Sequence, residues 1–310
     1  MATDKIWVNG DLVDWADARF HVTAHSLHYG TGVFEGVRCY ATESAPAVFR
    51  LSDHLRRLAD SARLGAMQLP YTTEQLREAT LKLLATNGLP GCYVRPIAFF
   101  GPGELTVYPG TNPVEVVIIA WPWGAYLGEA GQREGISAVT SSWKRVGPNT
   151  IPHVAKASGV YVNSMLATQA AKRAGYEEAI LLTDEGVVAD GPGENVFVVK
   201  DGVVSTPPLS TSILPGITRD TVMTLARDLG YTVEERHLIR TDLYLADEVF
   251  MTGTAAEVTP VRAVDGHRIG AGPVTRELQQ TYWDVVHGRS EHYFHWLDFV
   301  GARHESSFEA

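Results

Sequence analysis

Cysteine is scarce in this chain: only Cys39 and Cys92 occur among 310 residues, and neither belongs to a C-x-x-C pair. Isolated from each other in sequence, they argue against a disulfide framework and against a cysteine-built zinc site. Long apolar runs are also missing, so no segment is expected to cross a bilayer as a helix. The opening residues Met1-Ala2-Thr3-Asp4 carry no basic-then-apolar leader, and no Asn-x-Ser/Thr sequon is present. The expected compartment is the cytoplasm. Positive charge is in deficit: 26 Lys and Arg against 36 Asp and Glu give a formal net charge of -10. With no local basic cluster to offset it, a nucleic-acid surface is not expected. Internal repeats and low-complexity tracts are absent as well.

What is present is the composition of a folded α/β chain, 45% hydrophobic and 20% charged, long enough for two domains or one large body. Strand and helix signals alternate. Lys5 to Val8 reads as a strand followed by the hairpin turn Asn9-Gly10-Asp11. Asp53 to Leu64 and Thr73 to Asn87 read as amphipathic helices, the second closed by Gly88 and Pro90. Val114 to Ala120 suits a strand buried on both faces. The aromatic, turn-rich stretch Trp121 to Gly128 reads as a connection that lines something. Beyond it, strands are expected at Ile136–Ser141, Ala179–Thr183, Val187–Ala189, Asn195–Val199, Val203–Ser205 and Glu248–Met251. Helices are expected over Val160–Gly175 and Ile217–Leu229, and the polar tail Arg303 to Ala310 is expected to fray.

Lys156 is the most telling residue. It lies just before Ser158-Gly159 and the alanine-rich helix, where the partial positive charge of a helix N-terminus disfavours an ammonium. A lysine so placed gains nucleophilic, Schiff-base character, although on the local pattern alone a solvated loop lysine is the favoured reading. Leu214-Pro215-Gly216-Ile217-Thr218-Arg219 opens a helix whose first N–H groups and Thr218 hydroxyl could cradle a phosphate; a plain helix cap is the alternative. Gly253-Thr254-Ala255-Ala256 follows a strand and offers backbone N–H groups to a carboxylate or phosphate, or is simply a tight turn. Glu194, at the mouth of a strand, is either a holder of a ring-nitrogen proton or a solvated turn acid. His21, His25 and His28 share a helical spacing, but without a supporting carboxylate or cysteine a metal site is not expected. Gly30-Thr31-Gly32 fails the G-x-G-x-x-G dinucleotide pattern.

These segments appear in one order: His28 to Arg38, Tyr93-Val94-Arg95-Pro96, Pro122 to Tyr126, Lys156, Gly193-Glu194-Asn195, Leu214 to Arg219, and Gly253 to Glu257. In that order the chain resembles the branched-chain amino acid aminotransferases of pyridoxal-phosphate fold type IV, from about Ile6 to about Phe299. The resemblance implies an α/β (α+β) fold with a small N-terminal α/β domain (1–120), an interdomain loop (121–132) and a larger C-terminal pseudobarrel domain (133–310). It also implies transamination of leucine, isoleucine and valine with 2-oxoglutarate. Oligomeric expectations are a homodimer as the minimal unit, or a hexamer, with neither nucleic acid nor membrane as partner.

Carried over by position, the resemblance gives Lys156 the Schiff base with pyridoxal 5'-phosphate, Glu194 the pyridine nitrogen and Tyr161 the phenolic oxygen. Arg57, Leu214, Gly216, Ile217, Thr218, Gly253 and Thr254 complete the implied cofactor site. On the substrate side, Tyr93, Thr254 and Ala255 would meet the α-carboxylate. Phe34, Gly36, Trp123 and Tyr126 would wall an apolar pocket, with Tyr29 and Val107 supplied by a neighbouring subunit. Arg95 would take the side-chain carboxylate of glutamate. The stretch Gly101 to Thr106 departs from the pattern, being more polar and proline-bearing, at the expected substrate rim. Other fold type IV enzymes, namely D-amino acid or (R)-amine transaminases and aminodeoxychorismate lyases, share the lysine, glutamate and phosphate sites. Phe34-Glu35-Gly36 with Arg95 and Trp123 favours the branched-chain type. A non-catalytic protein that keeps the cofactor pocket is the reading from outside enzymology.

Overall fold

The computed structural model describes residues 3–124 and 126–301; the tail expected to fray lies outside the described residues, as do Met1, Ala2 and Ala125 of the segments discussed above. Two eight-stranded sheets organise the chain. The first runs, strand by neighbouring strand, Leu297–Phe299, Ala47–Phe49, Val37–Tyr40, Cys92–Phe100, Val114–Trp121, Lys5–Val8 and Asp11–Asp14, with Gly32–Phe34 also paired to Cys92–Phe100. Its pairings are antiparallel. The second runs Thr232–Glu235, Val203–Thr206, Asn195–Lys200, Glu248–Gly253, Glu257–Val264, Ile136–Lys144 and Glu178–Leu182, and mixes parallel with antiparallel pairs. His267–Arg268 adds to it on Glu257–Val264.

Local chemistry explains several of these elements. Asn9 and Gly10 both take positive φ, 48° and 105°, as a two-residue hairpin turn between Val8 and Asp11 requires. Helix Thr73–Asn87 begins with a reciprocal capping box between Thr72 and Gln75 and ends on left-handed Gly88. Helix Leu51–Leu64 starts slightly earlier than its pattern suggests, and packs Leu51, Leu55 and Leu58 with Leu76, Leu83 and Leu84 of its neighbour over the first sheet. A second core joins the sheets: Tyr40, Ala47 and Phe49 meet Phe197, Phe250 and helices Ile217–Asp228 and Pro273–Val286.

Pro96 shapes the future site. It sits inside the central strand Cys92–Phe100, where a missing N–H interrupts pairing. The neighbouring chain breaks opposite it: Phe34 pairs with Ile97 and Val37 with Val94, leaving Glu35-Gly36 between the two strands. Only the Glu35 N–H reaches back, to the Pro96 carbonyl at 2.8 Å. The break turns the Glu35 side chain into the interior, where it is fully buried.

Some expectations need correction. Val187–Ala189 is not a strand; it makes isolated bridges from Leu182 to Val188 and from Val187 to Ile239. The stretch after Trp121 contains a short helix, Gly128–Glu134. The three histidines do not share a helix, since the helix covers only His25–Tyr29. Buried His25 instead accepts from the Thr31 hydroxyl at 2.7 Å and donates to the Thr106 carbonyl at 2.7 Å, a clamp on two loops. Cys39 and Cys92, remote in sequence, are register partners on adjacent strands and are both buried free thiols. The hydrogen bond to Cys39, with burial, pushes the Cys92 thiol up, which keeps it protonated and unreactive.

Candidate active site

Lys156 lies in a cleft between the sheets, its backbone in irregular structure that becomes regular only at the 3-10 turn Ser158–Val160 and the helix Tyr161–Arg173. Lys172 and Arg173 close that helix at its negative end, as their charge favours. The Lys156 ammonium donates to the Tyr161 hydroxyl at 2.6 Å and stands 5.1 Å from the Phe34 ring centre. Two lobes of the cleft, with about 490 and 420 Å³ of empty space, share Lys156, Gly193, Asn195 and Leu214.

The first lobe is lined by Tyr161, Ser164, Arg145, Asp190 and Glu194. Glu194 is 5% exposed, and burial, reinforced by the Glu178 carboxylate, pushes it up to about 8. It therefore holds a proton at neutral pH in the absence of a cation beside it. Arg145, buried as well, fixes the loop that carries it: Nε donates to Asp190 at 2.7 Å and Nη2 to the Gly191 carbonyl at 2.5 Å. Ser164 donates to the Pro192 carbonyl at 2.6 Å. Burial lifts the Asp190 carboxyl to about 6 against the pull of Arg145, which leaves it ionised at neutral pH.

In the second lobe, Leu214, Gly216, Ile217 and Thr218 meet Gly253, Thr254 and Ala255. Gly216 is the N-cap of helix Ile217–Asp228 and no side chain caps it, so its first N–H groups are free to bind an anion. A β-carbon at Gly216 would stand 2.0 Å from the Asn195 amide oxygen, so only glycine fits this turn. Arg57 joins from the other sheet's helix: Nε and Nη2 grip Glu35 at 2.7 and 2.8 Å, and Nη1 donates to the Pro215 carbonyl at 2.8 Å. Further N–H groups of the same guanidinium remain for the cleft. Burial alone would raise Glu35, but Arg57 and His54 outweigh it and hold the carboxyl well below the usual carboxylate range. Among the described residues, the buried Thr252 hydroxyl in this lobe has no hydrogen-bond partner.

Aromatic groups close the remaining side. The Phe34 ring lies 4.8 Å from Tyr161, and the Arg95 guanidinium stacks 4.5 Å over Phe34. Tyr93 meets Trp123 edge-on at 4.5 Å, and Trp123 meets Tyr126 at 5.9 Å. Gly36 lets the Tyr93 hydroxyl pass, since a β-carbon there would stand 1.9 Å from it. Arg95 is thinly satisfied: Nη2 reaches the Tyr93 hydroxyl at 3.4 Å, while its buried Nε has no partner among the described residues.

Of the site residues anticipated from the sequence, most line the two lobes, while Phe34, Arg95, Trp123 and Tyr126 line neither and join the cleft through contacts that run to Tyr161 and Tyr93. Tyr29 and Val107 line neither lobe; Tyr29 bonds the Leu105 carbonyl on an exposed face where Val107 is 83% exposed. Sequence reading missed Arg145, Asp190, His54, Ser61 and Thr252. Glu35 and Asn195 stood in the motifs without a role, and only the 3.6-residue spacing of His54, Arg57 and Ser61 offered a signal.

Comparison with known proteins agrees with this arrangement. The family model for amino-transferase class IV matches residues 32–264. The branched-chain-amino-acid aminotransferase of Escherichia coli (strain K12) is 48% identical over 301 residues, covering 96% of this chain and 97% of that protein. A crystal structure of the Escherichia coli branched-chain amino acid aminotransferase superimposes with a TM-score of 0.94 at 48% identity, over 96% of this chain and 99% of that one. The T.th. branched-chain amino acid aminotransferase complexed with N-(5'-phosphopyridoxyl)-L-glutamate gives 0.92 at 45% identity, over 97% of this chain and 99% of that one. On these matches the chain belongs to the class IV aminotransferases, as an enzyme of the branched-chain amino acid aminotransferase type with the mixed α/β architecture of fold type IV.

Proposed function

We propose that the protein transfers the amino group of leucine, isoleucine or valine to 2-oxoglutarate, using pyridoxal 5'-phosphate carried as a Schiff base on Lys156. One observation carries the reading: a lysine amine bonded to a tyrosine hydroxyl, a buried proton-holding carboxyl and an uncapped helix N-terminus with an arginine converge in one cleft. Those groups fit the cofactor's three handles, and the unpartnered Thr252 hydroxyl adds a polar atom to the phosphate end. Glutamate as the second amino acid is supported by the phosphopyridoxyl-glutamate complex of the T.th. relative.

When bound, the cofactor supplies an electron sink that makes the substrate's Cα proton removable. Lys156 would carry that proton away from Cα and return it at the cofactor's C4′ carbon, on the far side of the nitrogen. Glu194, anchored through the Arg145 and Asp190 network, would keep the ring nitrogen protonated, and Tyr161 would hydrogen-bond the phenolic oxygen. Arg57, Leu214, Gly216, Ile217, Thr218, Gly253 and Thr254 would hold the phosphate end. Tyr93, Thr254 and Ala255 would take the α-carboxylate, and Phe34, Gly36, Trp123 and Tyr126 the branched side chain. Arg95, short of partners, would take glutamate's side-chain carboxylate. Tyr29 and Val107, away from their own cleft, would complete the cleft of a second subunit in a dimer. We also assign 1–120, 121–132 and 133–310 as small domain, connecting loop and large domain, with Leu297–Phe299 returning to the first sheet.

Purified protein should show a visible absorbance band that shifts when leucine is added, and borohydride should fix the cofactor on Lys156. A label on Lys144 or Lys172 would overturn the site, and a band that ignores leucine would make the cleft a binding pocket only.

A further inference from the structure

Helix Leu51–Leu64 presents His54, Arg57 and Ser61 on one face, turned toward the cleft rather than into the leucine core on its other side. His54 and Arg57 end on Glu35. Ser61 does something different. It is 1% exposed, and its Oγ accepts the backbone N–H of Lys156 at 3.0 Å from the other side of the cleft. The Lys156 carbonyl accepts the Phe34 N–H, also at 3.0 Å, and Val33 bridges Ala157. Both backbone polar groups of the lysine are therefore held by residues of the first sheet and its helix.

Among the described residues, no other regular structure fixes that backbone. The residues before Lys156 form turns, with Ala155 donating to the Pro152 carbonyl, and the next helical turn begins at Ser158. A lysine amine rides on a flexible four-carbon stem, so its position depends on where its backbone is pinned. A buried serine inside a helix is also a poorer choice than alanine for helix stability alone, and its use here is accounted for by the bond it accepts.

We propose that Ser61 is a positioning residue for Lys156, holding the lysine's backbone so that its amine meets the cofactor's aldehyde. The proposal rests on the reading of Lys156 as the cofactor-bearing lysine. In the step concerned, Nζ adds to the aldehyde carbon, water leaves, and a C=N bond forms. Removing the serine hydroxyl leaves the Lys156 N–H without its acceptor and loosens the segment on one side.

The test compares two forms of the cofactor on cofactor-stripped protein. Pyridoxal 5'-phosphate must link to the lysine; pyridoxamine 5'-phosphate, being an amine, cannot. Ser61→Ala should slow formation of the link, read by the visible band and by borohydride trapping, on the order of 10-fold, while pyridoxamine 5'-phosphate binds as in the parent. Ser61→Thr, which keeps the hydroxyl, should recover most of the rate. Equal loss for both cofactor forms would make Ser61 a residue of the fold, and an unchanged rate would leave it with no role; either result overturns the proposal. Lys156→Ala separates the premises: if that variant still forms the link, the reading of Lys156 fails first, whatever Ser61 does.

Discussion

The two walls of the cleft are built on opposite principles. On the wall of Arg145, Asp190, Ser164 and Glu194 the groups are buried: Arg145 bonds Asp190 and Ser164, and both Arg145 and Ser164 reach backbone carbonyls, at 2.5 to 3.3 Å, while Glu194 accepts the Gly193 N–H at 3.0 Å. On the wall of Arg95, Trp123 and Tyr126 the aromatic side chains are 37% and 42% exposed, and the arginine keeps a buried Nε without a partner among the described residues. A closed network suits a ligand that stays, because every group is placed before it arrives. An open aromatic wall with one unsatisfied cation suits ligands that alternate, one apolar and one carrying a carboxylate. Under the proposed function, permanent binding energy would belong to the first wall of this molecule, and exchangeable binding energy to the second.

Breaking the wired wall should do the most damage. Lys156→Ala should abolish turnover, measured as exchange of leucine with 2-oxoglutarate, because among the described residues no second amine adjoins Tyr161 in the cleft. Glu194→Gln should retain the cofactor through its phosphate yet lose on the order of 100-fold or more in rate, since a neutral amide cannot hold a pyridinium proton. Near-normal turnover would remove Glu194 from the mechanism.

The same residue gives a stability test in the cofactor-free protein. Burial raises the Glu194 carboxyl to about 8, whereas the unfolded chain titrates near 4.5. Between those values the folded state binds the extra proton, so this contribution is present at low pH and is lost as pH rises from about 4.5 toward 8. Glu194→Gln removes the titration, and the variant should outlast the parent at alkaline pH by up to a few kcal/mol in denaturant unfolding. Identical pH profiles for parent and variant would mean that Glu194 is not the buried acid described.

Part of the site was legible because short-range chemistry leaves a local mark, as at Lys156 before its helix and in the aromatic stretch from Trp121, whereas the roles of Phe34, Arg95, Trp123 and Tyr126 came only from the family resemblance. The helix from Thr73 needed only its capping residues and Gly88, and the turn at Gly216 only its helix start. Strand Cys92–Phe100 was harder to read, because Pro96 disguises a central strand whose neighbour breaks opposite it. The wired wall was legible least. Arg145 finds Asp190 across 45 positions and Ser61 finds Lys156 across 95, and no local pattern marks either partner. Val187–Ala189 shows the converse, an apolar run with strand character that the fold uses only for isolated bridges.

The open wall has one decisive residue. If Arg95 answers the side-chain carboxylate of glutamate while Phe34, Trp123 and Tyr126 answer the branched side chain, its removal should hurt one substrate selectively. A charge-assisted hydrogen bond to a carboxylate contributes roughly 1.5 to 3 kcal/mol, so Arg95→Met should slow the glutamate half-reaction by about 10 to 150-fold. Leucine makes no such bond and should lose less. Single-turnover kinetics of Arg95→Met, with each amino acid added separately to the cofactor-loaded enzyme, measures both. A selective loss with glutamate is the predicted result; equal losses with glutamate and leucine would contradict the division between a wall for the resident cofactor and a wall for alternating substrates.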